Sequence, residues 1–145
     1  TNQWVWRNPF YGYVIRHAEY QTVTEGIDAL LPKLRSLVDR GYSIALYPEG
    51  TRSVDCGISR FHRGAFYIAE QLHLGITPMF LYGTGRRLPK KKYSLHRSPI
   101  YLEVDETMTQ AQLQAIGSPM EQAKWMRRHY VEKYNTLCDE FEKNS

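Results

Sequence analysis

The residues best suited to chemistry lie in one short segment, Pro48-Glu49-Gly50-Thr51-Arg52-Ser53. Gly50 permits a positive φ and lets the backbone approach a ligand closely. Arg52 presents a planar fork of donors that matches a phosphate group through two hydrogen bonds. Thr51 adds a hydroxyl, and Glu49 can accept from a substrate hydroxyl or hold Arg52 in place. The segment predicts a phosphate-binding turn; the alternative is a Pro-Glu-Gly turn with an incidental surface ion pair.

The segment follows an apolar stretch, residues 42–47, that is typical of a short buried strand. Further strands are predicted over residues 76–82 and 99–104, and helices over residues 24–40, 63–74 and 119–141. This alternation predicts an α/β fold, a single domain over residues 1–145 with a mixed, mainly parallel sheet flanked by helices. Ligands of such sheets bind beyond the carboxyl ends of the strands, which is where residues 48–53 fall.

Individual residues set expectations for the helices. Thr24 is expected to cap the first helix and Gly41 to end it, while Pro32 predicts a kink or a helix that begins near that residue. Gly75 is expected to end the second helix. The last helix carries an apolar stripe that favours packing in the core over contact with a membrane: Met126, Tyr130, Tyr134, Leu137 and Phe141.

The composition excludes several classes of protein. With 42% hydrophobic and 23% charged residues in 145, the chain has the make-up of one folded domain and not of a disordered segment. No apolar run approaches the roughly 20 residues that span a bilayer. The two cysteines form no CxxC pair, which predicts free thiols in a reducing compartment and no metal site. A net charge of +4 favours anionic partners.

Residues 47–53 resemble the F-P-E-G-T-R-S block of the glycerolipid acyltransferases, the family that includes 1-acylglycerol-3-phosphate acyltransferases, with Tyr47 in place of Phe. Residues 61–66 are similar to the basic-Gly-Ala-Phe segment of that family. Residues 76–79, followed by Gly83-Thr84, look like its block in which a proline follows a strand. The resemblance covers roughly residues 4–104.

The resemblance implies an enzyme of phospholipid biosynthesis that moves a fatty acyl group from acyl-CoA or acyl carrier protein to a phosphate-bearing lysolipid acceptor, without a cofactor. It implies that Glu49, Gly50, Thr51 and Arg52 bind the acceptor. It also implies a candidate acyl pocket at Pro78 and Met79. The alternative function is a non-catalytic lipid- or phosphate-binding domain of a larger membrane-associated protein.

Two parts of the family pattern are missing from this chain. The catalytic motif of the family is H-x-x-x-x-D, and none of the five histidines has Asp five places later. We therefore expect no catalytic residue in this chain, which we expect to be truncated at its N-terminus, with the motif upstream of Thr1. His62 is the one alternative base. The G-x-I-x-I-D-R block is also not matched at residues 18–24, which leaves room for acceptors other than glycerol 3-phosphate.

A basic loop joins the last two predicted strands. Within twelve residues it carries six cations and no acid: Arg86, Arg87, Lys90, Lys91, Lys92 and Arg97. The loop is either simply solvated or faces an anionic membrane surface, where each cation contributes about 1 kcal/mol. Nucleic acid is not expected, because no nucleic-acid-binding motif accompanies the patch. We predict a peripheral position at the cytoplasmic face of a membrane.

Overall fold

The computed structural model describes residues 26–50, 57–84, 97 and 99–143. The chain forms two compact units, residues 1–45 and residues 46–145. The prediction of one domain over residues 1–145 stays a prediction. The described elements are, in chain order, α1 (Ile27–Asp39), α2 (Gly64–Leu72), β1 (Met79–Tyr82), β2 (Tyr101–Val104), α3 (Gln110–Ile116) and α4 (Pro119–Lys143).

Helix α1 is the described helix of the first unit. It runs through Pro32, so a start near that residue, one of the two alternatives, was wrong, while the kink stays a prediction. Its end agrees with the prediction: Gly41, with a φ of +86°, donates its N–H to the carbonyl of Val38 at 2.8 Å, and Tyr42 donates to Leu37 at 3.0 Å. This pair of hydrogen bonds is typical of a helix that ends at a residue in the left-handed conformation. Thr24 lies outside the described residues.

Helix α4 organises the second unit. Two residues of its apolar stripe pack in the core, as predicted, whereas the side chain of Phe141 lies outside the described part. Met126 is buried in a cluster with Phe61 and Phe66. Tyr130 packs on Phe80 with ring centroids 4.1 Å apart. The side of α4 that faces β1 therefore belongs to the core. None of the helices in the described part of the chain is long and apolar enough to span a membrane.

Helix α2 ends earlier than predicted. His73 takes the left-handed conformation at its end, with a φ of +55°, and Leu74 donates its N–H to the carbonyl of Ala69 at 2.8 Å. Gly75 has a different role, because a Cβ there would lie 2.9 Å from the carbonyl oxygen of Met108. Gly75 thus permits a close approach of two backbones, next to the bridge between Ile76 and Met108.

Strands β1 and β2 pair antiparallel, with Met79 opposite Val104 and Tyr82 opposite Tyr101. The prediction of mainly parallel pairing is therefore wrong for the sheet that the structure describes. The chain reverses its direction after Gly83, where a Cβ would clash with the carbonyl oxygen of Pro99, so the two ends of the connection meet. Residues 42–47 form no strand either, and Tyr47 is 78% exposed.

Helix α3 is an element that the sequence reading missed. Thr109 and Gln112 form a capping box, in which the Gln112 N–H donates to Thr109 Oγ1 and the Thr109 N–H donates to Gln112 Oε1 at 2.8 Å. The pattern Thr-x-x-Gln before an apolar position is a signal that could have found this helix. Buried Gln122 then ties α3 to α4, donating to the carbonyl of Leu113 at 3.0 Å.

Candidate functional site

The turn at Glu49 and Gly50 is the described part of the predicted phosphate-binding segment. Gly50 has a φ of +68°, and its N–H donates to the carbonyl of Tyr47 at 3.0 Å, which closes the turn. An L side chain rarely adopts this conformation, so the residue type follows from the backbone. Thr51 and Arg52 lie outside the described residues. Their proposed contacts with a phosphate stay a prediction.

A second segment, residues 58–62, lies against this turn. The backbone N–H of His62 donates to the carbonyl of Pro48 at 2.8 Å. A Cβ at Gly50 would lie 3.5 Å from Cδ2 of His62, so the imidazole borders the turn. His62 is exposed and stands two residues before α2. The position agrees with a solvated histidine near a helix start, and it also puts the ring next to the candidate ligand site.

Glu49 is oriented by the same second segment. Its Oε2 accepts the backbone N–H of Ser59 at 2.8 Å. A carboxylate that accepts a backbone N–H makes a charge-assisted bond, which is stronger than a bond between neutral groups. This partner was not foreseen from the sequence, where Arg52 was the expected protein partner. The bond fixes the carboxylate beside Gly50.

Arg127 of α4 donates two hydrogen bonds to the second segment. Its Nε donates to the carbonyl of Ser59 at 3.0 Å and its Nη2 donates to the carbonyl of Ile58 at 3.2 Å. The guanidinium and the two carbonyls are partly buried. Sequence reasoning missed Arg127, and no local pattern could have found it because Ser59 lies 68 residues away along the chain.

The two residues of the candidate acyl pocket face different surroundings. Pro78 lines an open cleft of about 300 Å³, together with Asp105, Glu106, Met108, Trp125 and His129. Met79 is 51% exposed on the side of β1 that faces away from α4 and does not line this cleft. The assignment of both residues to an acyl pocket stays a prediction.

The backbone of Met79 is anchored to α4. Its N–H donates to the hydroxyl of Tyr130 at 2.9 Å, and that hydroxyl donates to the Met79 carbonyl at 3.1 Å. Burial raises the pKa of Tyr130, which keeps its hydroxyl protonated and able to donate. The first residue of β1 is therefore fixed at its backbone while its side chain stays exposed.

An ionic cluster joins β2 to α4 at one wall of the cleft. His129 Nε2 lies 2.9 Å from Asp105 Oδ2, and Lys133 Nζ pairs with Asp105 and, at 2.9 Å, with Glu103. The hydrogen bonds from Lys133 and then from His129 hold the pKa of Asp105 below its usual value. Within the described ranges, no three His, Cys, Asp or Glu side chains are grouped to hold a metal ion.

The basic loop is mostly outside the described residues, which include neither Arg86, Arg87 nor the three lysines from Lys90 to Lys92. Arg97 is described and is exposed. The hairpin that the loop closes has an apolar outward face. Its four side chains are between 43% and 57% exposed: Met79, Leu81, Leu102 and Val104.

Comparison with known proteins gives relatives of one kind. A 1-acyl-sn-glycerol-3-phosphate acyltransferase of Chlamydomonas reinhardtii is 39% identical over 64 residues, which are 44% of this chain and 19% of that protein. The 1-acyl-sn-glycerol-3-phosphate acyltransferase of Cocos nucifera is 29% identical over 137 residues, 89% of this chain and 41% of that protein. The chain thus spans less than half the length of these two relatives.

A solved structure has the same fold. The 1-acyl-sn-glycerophosphate acyltransferase PlsC of Thermotoga maritima superimposes with a TM-score of 0.75 at 20% sequence identity, over 92% of this chain and 53% of that one. The likeness confirms the predicted α/β class. Residues 3–82 match the protein family described as Acyltransferase, which is more than half of the chain and includes the turn at Glu49 and Gly50. The chain belongs to the Acyltransferase family, as the resemblance of residues 47–53 indicated.

Proposed function

We propose that this chain is the acceptor-binding part of an acyltransferase of phospholipid biosynthesis. In the reaction, the hydroxyl oxygen of a lysolipid attacks the thioester carbonyl of acyl-CoA or acyl carrier protein. The hydroxyl proton passes to a base, and the thiol leaves. The acceptor is a lysophosphatidic acid, in line with the relatives, which are 1-acyl-sn-glycerol-3-phosphate acyltransferases.

The observation that carries this proposal is the fixed turn at Glu49 and Gly50. The positive φ of Gly50 and the bond from Ser59 to Glu49 hold the backbone that leads directly into Thr51 and Arg52. Arg52 then binds the acceptor phosphate, and Glu49 orients it or accepts from an acceptor hydroxyl. The reaction requires neither a metal nor a redox cofactor in this proposal.

Substitution of Arg52 tests the phosphate contact. Arg52→Ala is expected to weaken binding of lysophosphatidic acid roughly ten- to a hundredfold, because a hydrogen bond to a charged group contributes about 1.5–3 kcal/mol. Arg97→Ala is the matched control and should bind like the parent, since Arg97 lies beyond β1. Titration calorimetry of the 145-residue chain measures both. If both substitutions reduced the affinity for lysophosphatidic acid equally, the attraction would be diffuse and electrostatic, which would contradict a specific site.

The second candidate function is a non-catalytic lipid- or phosphate-binding domain. The sequence upstream of Thr1 bears on this choice: an H-x-x-x-x-D motif there supports the enzyme, and its absence there supports the binding domain. Both functions predict phosphate binding at the turn, but only the first predicts turnover. Acyl transfer from a long-chain acyl-CoA to lysophosphatidic acid by the full-length protein distinguishes them.

We further propose that the domain attaches peripherally to the cytoplasmic face of a membrane through the basic loop. Six cations without an acid suit anionic headgroups. The outward face of the hairpin, defined above, offers apolar side chains for the interfacial region next to the headgroups. The strands that carry this face also hold the two ends of the loop, so charged and apolar contacts would act together.

A further inference from the structure

The charged guanidinium of Arg127 makes hydrogen bonds that core packing does not require. The residue lies in the first half of α4, where Ala123 and Met126 are buried in the core. Its guanidinium is partly buried and spends two donors on the carbonyls of Ile58 and Ser59. Residues 57–60 form neither helix nor strand. A bidentate cationic contact thus fixes an irregular segment.

The peptide group between Ile58 and Ser59 links Arg127 to Glu49. Its carbonyl oxygen accepts from Arg127 Nη2 at 3.2 Å, and its N–H donates to Glu49 Oε2 at 2.8 Å. A cation at the oxygen of an amide polarises the group and makes its N–H a stronger donor. The carboxylate at the other end benefits from this polarisation. Guanidinium, peptide and carboxylate therefore form one hydrogen-bonded chain.

We propose that Arg127 is a positioning residue for the acceptor-binding turn: it fixes and polarises the Ile58–Ser59 peptide, and that peptide orients the carboxylate of Glu49. The proposal rests on the proposed function of this turn. Arg127 itself does not contact the acceptor. Its second bond, from Nε to the Ser59 carbonyl, prevents rotation of the segment about a single contact.

The side-chain chemistry explains why arginine stands at this position. Two adjacent carbonyls need two donors held at a fixed separation, which the planar guanidinium provides. The single ammonium of a lysine keeps the charge but cannot hold both carbonyls in the same geometry. Arg127→Lys is therefore a sharp test that leaves the net charge unchanged. The neighbouring Arg128 is exposed and serves as the matched control.

The first measurement is structural and independent of function. In the 145-residue chain, Arg127→Lys should reduce the hydrogen-exchange protection of the Ser59 amide, while Arg128→Lys should not change it. Because the same substitution is made at two adjacent positions of α4, the comparison separates the specific contact from general effects on the helix. If the hydrogen-exchange protection of the Ser59 amide were unchanged in Arg127→Lys, the proposal would be overturned.

The second measurement uses the full-length enzyme. Arg127→Lys should raise the KM for lysophosphatidic acid about tenfold, since one of the two charge-assisted bonds that position the Ile58–Ser59 peptide is lost, and should leave the KM for acyl-CoA unchanged. In a Glu49→Gln background the same substitution should have little further effect, because Arg127 acts through Glu49. Independent, additive effects would overturn the proposal. If Glu49→Gln and Arg52→Ala both leave acceptor KM unchanged, the proposed function fails, whereas the exchange result still decides the link between Arg127 and the peptide.

Discussion

At the scale of single residues, the turn depends on backbone conformation as much as on charge. The backbone explains the residue type at Gly50, because its φ is +68° and its N–H closes the turn onto Tyr47. The carboxylate of Glu49 is oriented by a hydrogen bond from the backbone N–H of Ser59. The sequence identified both positions, but the partner of Glu49 comes from a different segment.

Substitution of Gly50 tests the importance of this conformation. Gly50→Ala should destabilise the fold by about 1–2 kcal/mol through the left-handed backbone, since its Cβ would make only an ordinary 3.5 Å contact with His62. The strained turn should also bind lysophosphatidic acid more weakly. Urea unfolding and calorimetry measure the two effects.

Gly41→Ala is the matched control for this experiment. Gly41 also has a positive φ, +86°, and a Cβ there would meet nothing within 4 Å. Its substitution should cost similar stability without changing affinity for the ligand. A loss of affinity in Gly41→Ala equal to that in Gly50→Ala would mean that instability alone, and not the turn, reduces binding.

At the scale of elements, α4 holds together most of what the second unit contains. It packs on α2 and β1, anchors Met79 through Tyr130, and holds the segment before α2 through Arg127. It also joins β2 through Lys133 and His129. Any change that loosens α4 is therefore expected to reach the turn at Glu49.

The contact between α4 and β2 predicts a dependence of stability on pH. Hydrogen bonds from Lys133 and His129 lower the pKa of Asp105 in the folded chain, relative to about 3.9 in an unfolded one. Protonation therefore favours unfolding, and the stabilisation is present above about pH 4 and lost as the pH falls through the folded pKa. Asp105→Asn should remove this contribution, about 1 kcal/mol for a pair near the surface.

Urea unfolding at pH 7, 5 and 3 checks this prediction. The free energy of unfolding of the parent should fall more steeply between pH 5 and pH 3 than that of Asp105→Asn. Glu106→Gln, at the next position along the chain and exposed, serves as the control and should keep the slope of the parent. Parallel slopes for the parent and Asp105→Asn would show that the cluster contributes nothing to acid sensitivity.

At the scale of the whole molecule, attachment to a membrane is the property to test. The chain should sediment with anionic vesicles and not with neutral ones, and binding should weaken as salt rises, because screening limits exposed charges to about 8 Å at physiological ionic strength. A variant with Ser at Lys90, Lys91 and Lys92 should lose most of this binding.

A second triple variant, with the same net charge as the loop variant, provides the control for the vesicle experiment. Serine at Lys33, Lys124 and Arg128 removes three cations elsewhere on the chain, and all three positions are exposed. It should bind anionic vesicles nearly as well as the parent if the loop is the contact surface. Equal losses in the two triple variants would show that net charge alone attracts the chain, and the loop would then be only a solvated connection.

The sequence by itself determined the features that depend on neighbours along the chain. It predicted the end of α1 at Gly41, the apolar stripe of α4 and the Pro-Glu-Gly turn, because helix ends, helical spacing and tight turns are set by a few adjacent residues. The same local pattern carried the resemblance that the family match confirmed. The capping box at Thr109 was equally local, so α3 was predictable in principle.

Only the tertiary structure decided which segments meet. Parallel and antiparallel pairing place the same alternating side chains on a strand, so the direction of β2 could not be read from its residues. The pair of His129 and Asp105 is 24 residues apart, and Arg127 and Ser59 are 68 residues apart. Such contacts depend on how α4 packs across β1 and α2, and on no spacing within the sequence. The residues of the turn were therefore predictable, whereas the partners that hold it follow from the packing of α4.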